Sequence, residues 1–180
     1  MKIRGEVFFK KTNSSGEISF FSGENLILNQ GKIWFLWGLS AWPHHHIIFH
    51  SGENDPTTQP PDYGAIGNVS FGSSALIVEE DQTALQGGEL FSFVNDSLFT
   101  GAASTLVVTK ISGTDGWGLD VDLALNTYTG ASDILRECGI SAFDGTKHWM
   151  LARFLLGEQP INDGDDIELT WKIRLELNNG

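Results

Sequence analysis

Four histidines within seven positions, His44, His45, His46 and His50, are followed closely by Glu53 and Asp55. Imidazole and carboxylate together suit zinc or nickel, borderline ions that accept both nitrogen and oxygen donors. On an extended backbone His44 and His46 face the same side, which favours a shared ligand. The spacing is not that of a zinc protease or a zinc finger, whose ligands recur at fixed intervals. His44, His46 and His50 therefore read first as loop or interface residues and only second as metal ligands, and no cofactor is expected. Two acidic groups, Asp163 with Asp165 and Asp166, and Asp115 with Asp120 and Asp122, present hard oxygen donors of the kind calcium takes, but neither fills the twelve-position loop of an EF-hand.

Catalytic chemistry finds little purchase. Glu137 and Glu168 are the carboxylates that a glycosidase reading would use, and that reading needs two of them ~5 to 9 Å apart across a cleft. Cys138 and His148 could be read as a nucleophile and base pair, yet Cys138 sits in the apolar-leaning run Leu135 to Ile140, where a cysteine behaves as a small hydrophobe. The glycines nowhere take the Gly-x-Gly-x-x-Gly spacing of a phosphate-binding turn. A non-enzymatic protein is expected. Trp34, Trp37 and Trp42 could stack on sugar rings, but tryptophan is also enriched in cores and subunit contacts. With Asp55 and Tyr63 of the following loop, they are the interface or binding candidates.

These residues are carried by strands. Between Ile167 and Leu177 apolar and polar residues alternate over eleven positions, the period of a half-buried strand. Trp117 to Leu125 alternates in the same way, and Glu89 to Val94, Thr105 to Ile111 and a weaker Ser74 to Glu79 add further strands. Ile140 to Phe143 and Trp149 to Leu156 flank Asp144-Gly145, a hairpin dipeptide, and should pair antiparallel. Lys2 to Phe9 reads as an edge strand with Ile18 to Phe21 as its hairpin partner, and Ile47 to His50 as a short strand. Gly157 to Asp166 reads as the break before the last strand. Ile33, Leu36, Trp37 and Leu39 follow helical spacing until Pro43 ends the segment. The expected architecture is all-β, an antiparallel sandwich of jelly-roll type with eight or nine strands and one short helix. It occupies residues 1–180 as a single domain, with a long surface loop at 51–67.

Composition narrows the function. The 180 residues carry 23 acids against 11 lysines and arginines, a formal charge of -12 that repels phosphate backbones and anionic lipid surfaces. Neither nucleic acid nor a membrane is expected as a partner. One cysteine excludes a disulfide framework within the chain, and neither a secretion signal nor a run of ~20 apolar residues is found.

Several stretches together resemble a loosely defined group of small structural proteins of tailed bacteriophages, found among tail, tail-fibre-associated and head-surface components. They are Asn25-Leu-Ile-Leu-Asn-Gln-Gly31 with the apolar segment after it, Ser51-Gly-Glu-Asn-Asp-Pro56, Ile134-Leu-Arg-Glu-Cys-Gly-Ile140, Trp149-Met-Leu-Ala-Arg-Phe154, and Pro160-Ile161, Gly164-Asp165 and Ile167-Glu-Leu-Thr-Trp171. The resemblance implies a β-rich virion part, made in the host cytoplasm and assembled in several copies with itself and other virion proteins. It also implies structural salt links for Arg136, Glu137 and Arg153, and places Pro160 and Gly164 in the loop before the last strand. A carbohydrate- or receptor-binding module is the alternative, built on the tryptophans and the 51–67 loop.

Overall fold

The structure, a computed structural model, describes residues 2–32, 65–94, 97–100, 104–113, 116–143 and 148–176. Nine strands follow in chain order: β1 (Lys2–Thr12), β2 (Ile18–Ile27), β3 (Ala65–Gly72), β4 (Glu89–Ser92), β5 (Thr105–Gly113), β6 (Gly116–Leu125), β7 (Asp133–Phe143), β8 (His148–Ile161) and β9 (Asp166–Glu176). They form one sheet in the order β4-β3-β7-β8-β2-β1-β9-β6-β5, with every pairing antiparallel. The protein is all-β. In place of the two separate layers expected of a sandwich there is one continuous curled sheet, whose two halves join where β2 changes partner. Its residues Ile18 to Asn25 pair with β1, whereas Leu26 and Ile27 pair with Arg153 and Ala152 of β8.

The sheet curls over on itself. Phe9 on β1 and Phe71 on β3 are four strands apart in the sheet order, which in a flat sheet is ~19 Å. Their ring centroids are 6.4 Å apart. The inward residues of both halves therefore form one core, with Val7, Phe9, Val121, Leu169, Trp171 and Ile173 from one side and Val69, Phe71, Leu135, Ile140 and Leu156 from the other. An aromatic group of Phe71, Phe91, Phe99 and Tyr128, with centroids 5.0 to 5.8 Å apart, closes one end of it.

Several local expectations need correction. Lys2 to Phe9 does pair with β2 across a turn, but it is not an edge: β9 takes its other side over the full length of β1, and the sheet ends at β4 and β5. Ser74 to Glu79 is not a strand; it crosses the outer face of the sheet, and the strand of this region is β3, just before it. The break before the last strand is shorter than Gly157 to Asp166, because β8 runs on to Ile161. Gly157, at φ +70°, takes up a bulge opposite Arg136, where the register steps from Glu137↔Leu155 to Leu135↔Gln159. Pro160 thus lies within β8 opposite Ile134, while Gly164 at φ +85° is in the turn. Residues 29–32 begin a helix, with the Lys32 N–H donating to the Leu28 carbonyl, and the remainder of the expected helix lies outside the described residues.

Candidate functional site

β8, like β7 beside it, has both faces covered along part of its length. Met150, Leu151, Ala152, Arg153 and Phe154 are consecutive and all buried. One face meets the core. Over the other lies a strap, residues 73–88, together with the start of the helix, where the Leu28 N–H donates to the Leu151 carbonyl and the Asn29 N–H to the Glu80 carbonyl.

A buried ion pair fastens this strap. Arg153 and Glu137, diagonal neighbours across β8 and β7 near the bulge, are both fully buried, with Arg153 Nε 2.5 Å from Glu137 Oε2. Burying two charges is costly unless their remaining donors and acceptors are filled. Here the strap fills them. Glu137 accepts from the backbone N–H groups of Gly87 at 2.7 Å, Gln86 at 3.1 Å and Ser74 at 3.3 Å. Arg153 donates to Gln82 Oε1 at 2.9 Å and to the carbonyls of Leu76 at 3.0 Å and Ile77 at 3.4 Å. Turning those carbonyls inward turns the side chains of Leu76 and Ile77 out, and both are exposed. This is why the apolar run Ala75 to Val78 does not make a strand.

The far end of the strap forms one wall of a half-open groove of about 360 Å³. Its floor is Asn68 and Ser70 of β3, Ser141 of β7 and Met150 of β8. Met150 lies across Gly139, where a Cβ would come within 2.5 Å of its sulfur, so the absent side chain makes its room. Glu89 stands at the groove with its carboxylate held from two sides, by Ser70 Oγ at 2.7 Å and Ser92 Oγ at 3.0 Å. Asn68 Nδ2 donates in turn to Ser70 Oγ at 3.0 Å, and its Oδ1 accepts the Val94 N–H at 3.3 Å.

No family model, known protein or solved structure matches this chain.

Of the residues singled out from sequence, Trp34, Trp37, Trp42, His44, His46, His50, Asp55 and Tyr63 lie outside the described residues. Arg153 and Glu137 are joined as described, and Arg136 reaches instead to Glu158 at 3.1 Å. Cys138 and His148 do not meet: His148 is opposite Phe143, five residues along β7 from Cys138, or ~17 Å. Burial, and next the Glu137 charge, push the Cys138 thiol well up, with Arg153 opposing. Glu137 and Glu168 share no cleft, since one is buried under the strap and the other is paired with Lys10 on the opposite half of the sheet.

Four of the aspartates are engaged elsewhere, and Asp115 lies outside the described residues. Asp165 accepts the Asn162 N–H and faces Lys11, Asp166 accepts the N–H of Thr127, a residue at φ +56°, Asp122 accepts from Thr170, and Asp120 pairs with Arg174. Among the described residues no three metal-ligating groups converge. Sequence reading missed Asn68, Ser70, Glu89 and Ser92. The signal available was the alternation in Asn68-Val-Ser-Phe71, which puts two polar groups on one strand face.

Proposed function

We propose that the protein is a non-enzymatic structural component, of the kind found in tailed-phage virions, that works by assembling in several copies. The observation that carries this reading is the outer face of β2, β1 and β9. Phe20 on β2 is 74% exposed, Ile18 two residues before it 50%, and Phe8 on β1 41%. The register sets Phe20 against Lys10 and Phe8 against Ser22, so the two rings are diagonal neighbours and Ile18 extends the patch. Contiguous exposed apolar groups rimmed by polar residues mark contact surfaces.

Charge on this face suits a second copy of the same chain. Two chains of net charge -12 repel each other as wholes. Locally, Arg4, Lys10, Lys172 and Arg174 nearly balance Glu6, Glu24, Glu168, Asp120 and Asp122, all of which point to the same outer side. Lys172 lies over the Phe8 ring at 5.0 Å, ready to face a neighbour's acid or ring. A surface holding both signs can be complementary to itself under a two-fold or cyclic operator. The resemblance to virion proteins supports the biological setting.

Light scattering of the purified chain at two concentrations tests the reading. The expected result is a discrete multiple of 19.7 kDa that falls to the monomer when Phe8 and Phe20 are both replaced by serine. A wild-type monomer at high concentration would overturn self-assembly in favour of a monomeric binding module. An oligomer untouched by the double substitution would show that this face is not the contact.

A further inference from the structure

We infer that the groove beneath the strap is a binding site for a small organic ammonium ion, held by Glu89. Its volume of about 360 Å³ falls within the ~300 to 1,000 Å³ usual for small-molecule sites. Its lining residues carry one formal charge, the Glu89 carboxylate, and no cation.

The hydrogen bonds around that carboxylate have a direction. Asn68 donates to Ser70, Ser70 to one carboxylate oxygen, and Ser92 to the other. The chain of donors ends on Glu89, and its dipoles fix the carboxylate in place before any ligand arrives. A carboxylate offers about four lone-pair sites, and two of them are filled by the serines. What the groove still presents around Glu89 is acceptor capacity, so the complementary ligand is a donor, and a charged one makes the stronger bond.

The remaining walls define the rest of the ligand. Met150, Leu85, Ala84 and Val94 supply apolar surface beside the carboxylate, which suits a short alkyl or aryl body more than a bare metal ion. The strap wall is held by Glu137 through Gln86 and Gly87, next in sequence to Gly88 and Glu89, so the buried ion pair is the positioning device for this site.

The test is a titration of the full chain, followed by backbone amide NMR in 0.15 M salt. Butylammonium represents a free amine, Nα-acetyl-lysine methylamide a lysine side chain, and n-butanol the uncharged body. Saturable shifts centred on Ser70, Gly88, Ser92 and Val94 are expected with either cation and not with butanol, the tighter of the two cations naming the source. Glu89→Gln keeps the size of the exposed side chain and an acceptor for one serine, while its amide NH2 can donate to the other hydroxyl, and should weaken binding at least tenfold. Asp163→Asn, which removes one acid from an exposed turn elsewhere, should leave it unchanged. Shifts that fail to saturate, that spread over the acidic surface, or that persist in Glu89→Gln would overturn the assignment, as would equal binding of butanol.

Discussion

Two ion pairs of nearly equal length sit on opposite halves of this sheet. Arg153 and Glu137 meet at 2.5 Å with both side chains fully buried, and Lys10 and Glu168 meet at 2.6 Å with side chains 30% and 53% exposed. The first lies under the strap on the doubly covered half, the second on the bare outer face of β1 and β9. Distance alone would rank them together, but their surroundings separate them. At the bare face water competes for both ions, and little is lost when they part. Under the strap neither ion has water to return to, and each also holds backbone groups of the strap. The covered half is thus organised by polar groups inside, whereas the bare half is organised by its apolar inner face.

The largest expected effect follows from breaking the covered pair. Arg153→Met keeps much of the side-chain length and leaves the Glu137 carboxylate buried without its counter-ion. The expected loss is ~3 to 5 kcal/mol in urea unfolding, with early loss of hydrogen-exchange protection at Gln86 and Gly87. Replacing Glu137 by Met as well should recover only part of this. The N–H groups of Ser74, Gln86 and Gly87 would then lose their acceptor. A loss under ~1 kcal/mol in the single variant would mean that the strap is not fastened by this pair, and the contrast between the halves would fail.

A smaller effect is expected from Cys138, buried on the core side of the same strand as Glu137. Its thiol is held above the ordinary range by burial first and by Glu137 second, so the folded state keeps the proton that the unfolded chain releases near pH ~8.5. With the folded value raised, this contribution to stability is complete below the unfolded value and is lost as pH rises through the folded one. Urea midpoints measured from pH 7 to 10 should fall more steeply for the wild type than for Cys138→Ala. Parallel curves would show that the thiol does not titrate differently in the two states. The native thiol should also resist an aromatic disulfide reagent until the chain is unfolded.

The bare half was legible in the sequence because it has one wet side. β9 and β6 alternate without interruption, and their inward residues Ile167, Leu169, Trp171, Leu119, Val121 and Leu123 are all buried. The β1–β2 and β7–β8 hairpins were legible from their turns. What could not be read were neighbours distant in sequence. Nothing local in Lys2 to Phe9 announces that the last strand of the chain pairs with it, which is why an interior strand looked like an edge. The covered half was obscure for a different reason. Burial on both faces erases the period of two from β8, so Trp149 to Leu156 reads as a plain apolar run interrupted by Arg153. The strap is irregular because its carbonyls turn toward that arginine, a tertiary demand that overrides the strand propensity of Leu76, Ile77 and Val78. The groove was hidden for the same reason, since β3 and β4 become its floor and rim only when the strap is laid over them.

The smallest effect comes from the exposed pair, and it sharpens the comparison most directly. Lys10 and Glu168 are direct cross-strand partners, so a double-mutant cycle with Lys10→Met and Glu168→Gln isolates their coupling. With the chain dilute enough to be a monomer, an exposed pair of this type gives ~0.2 to 1 kcal/mol. Raising salt from 0.1 to 1 M shortens the screening length from ~10 to ~3 Å and should remove most of that coupling. The same change of salt should leave the penalty for Arg153→Met nearly intact, because ions cannot approach a pair beneath the strap. At concentrations where copies assemble through this face, the coupling should instead survive high salt at more than ~1 kcal/mol, because the outer face of β1 and β9 is then shielded. The shield is another copy of the chain, and the coupling should weaken on dilution as that copy leaves.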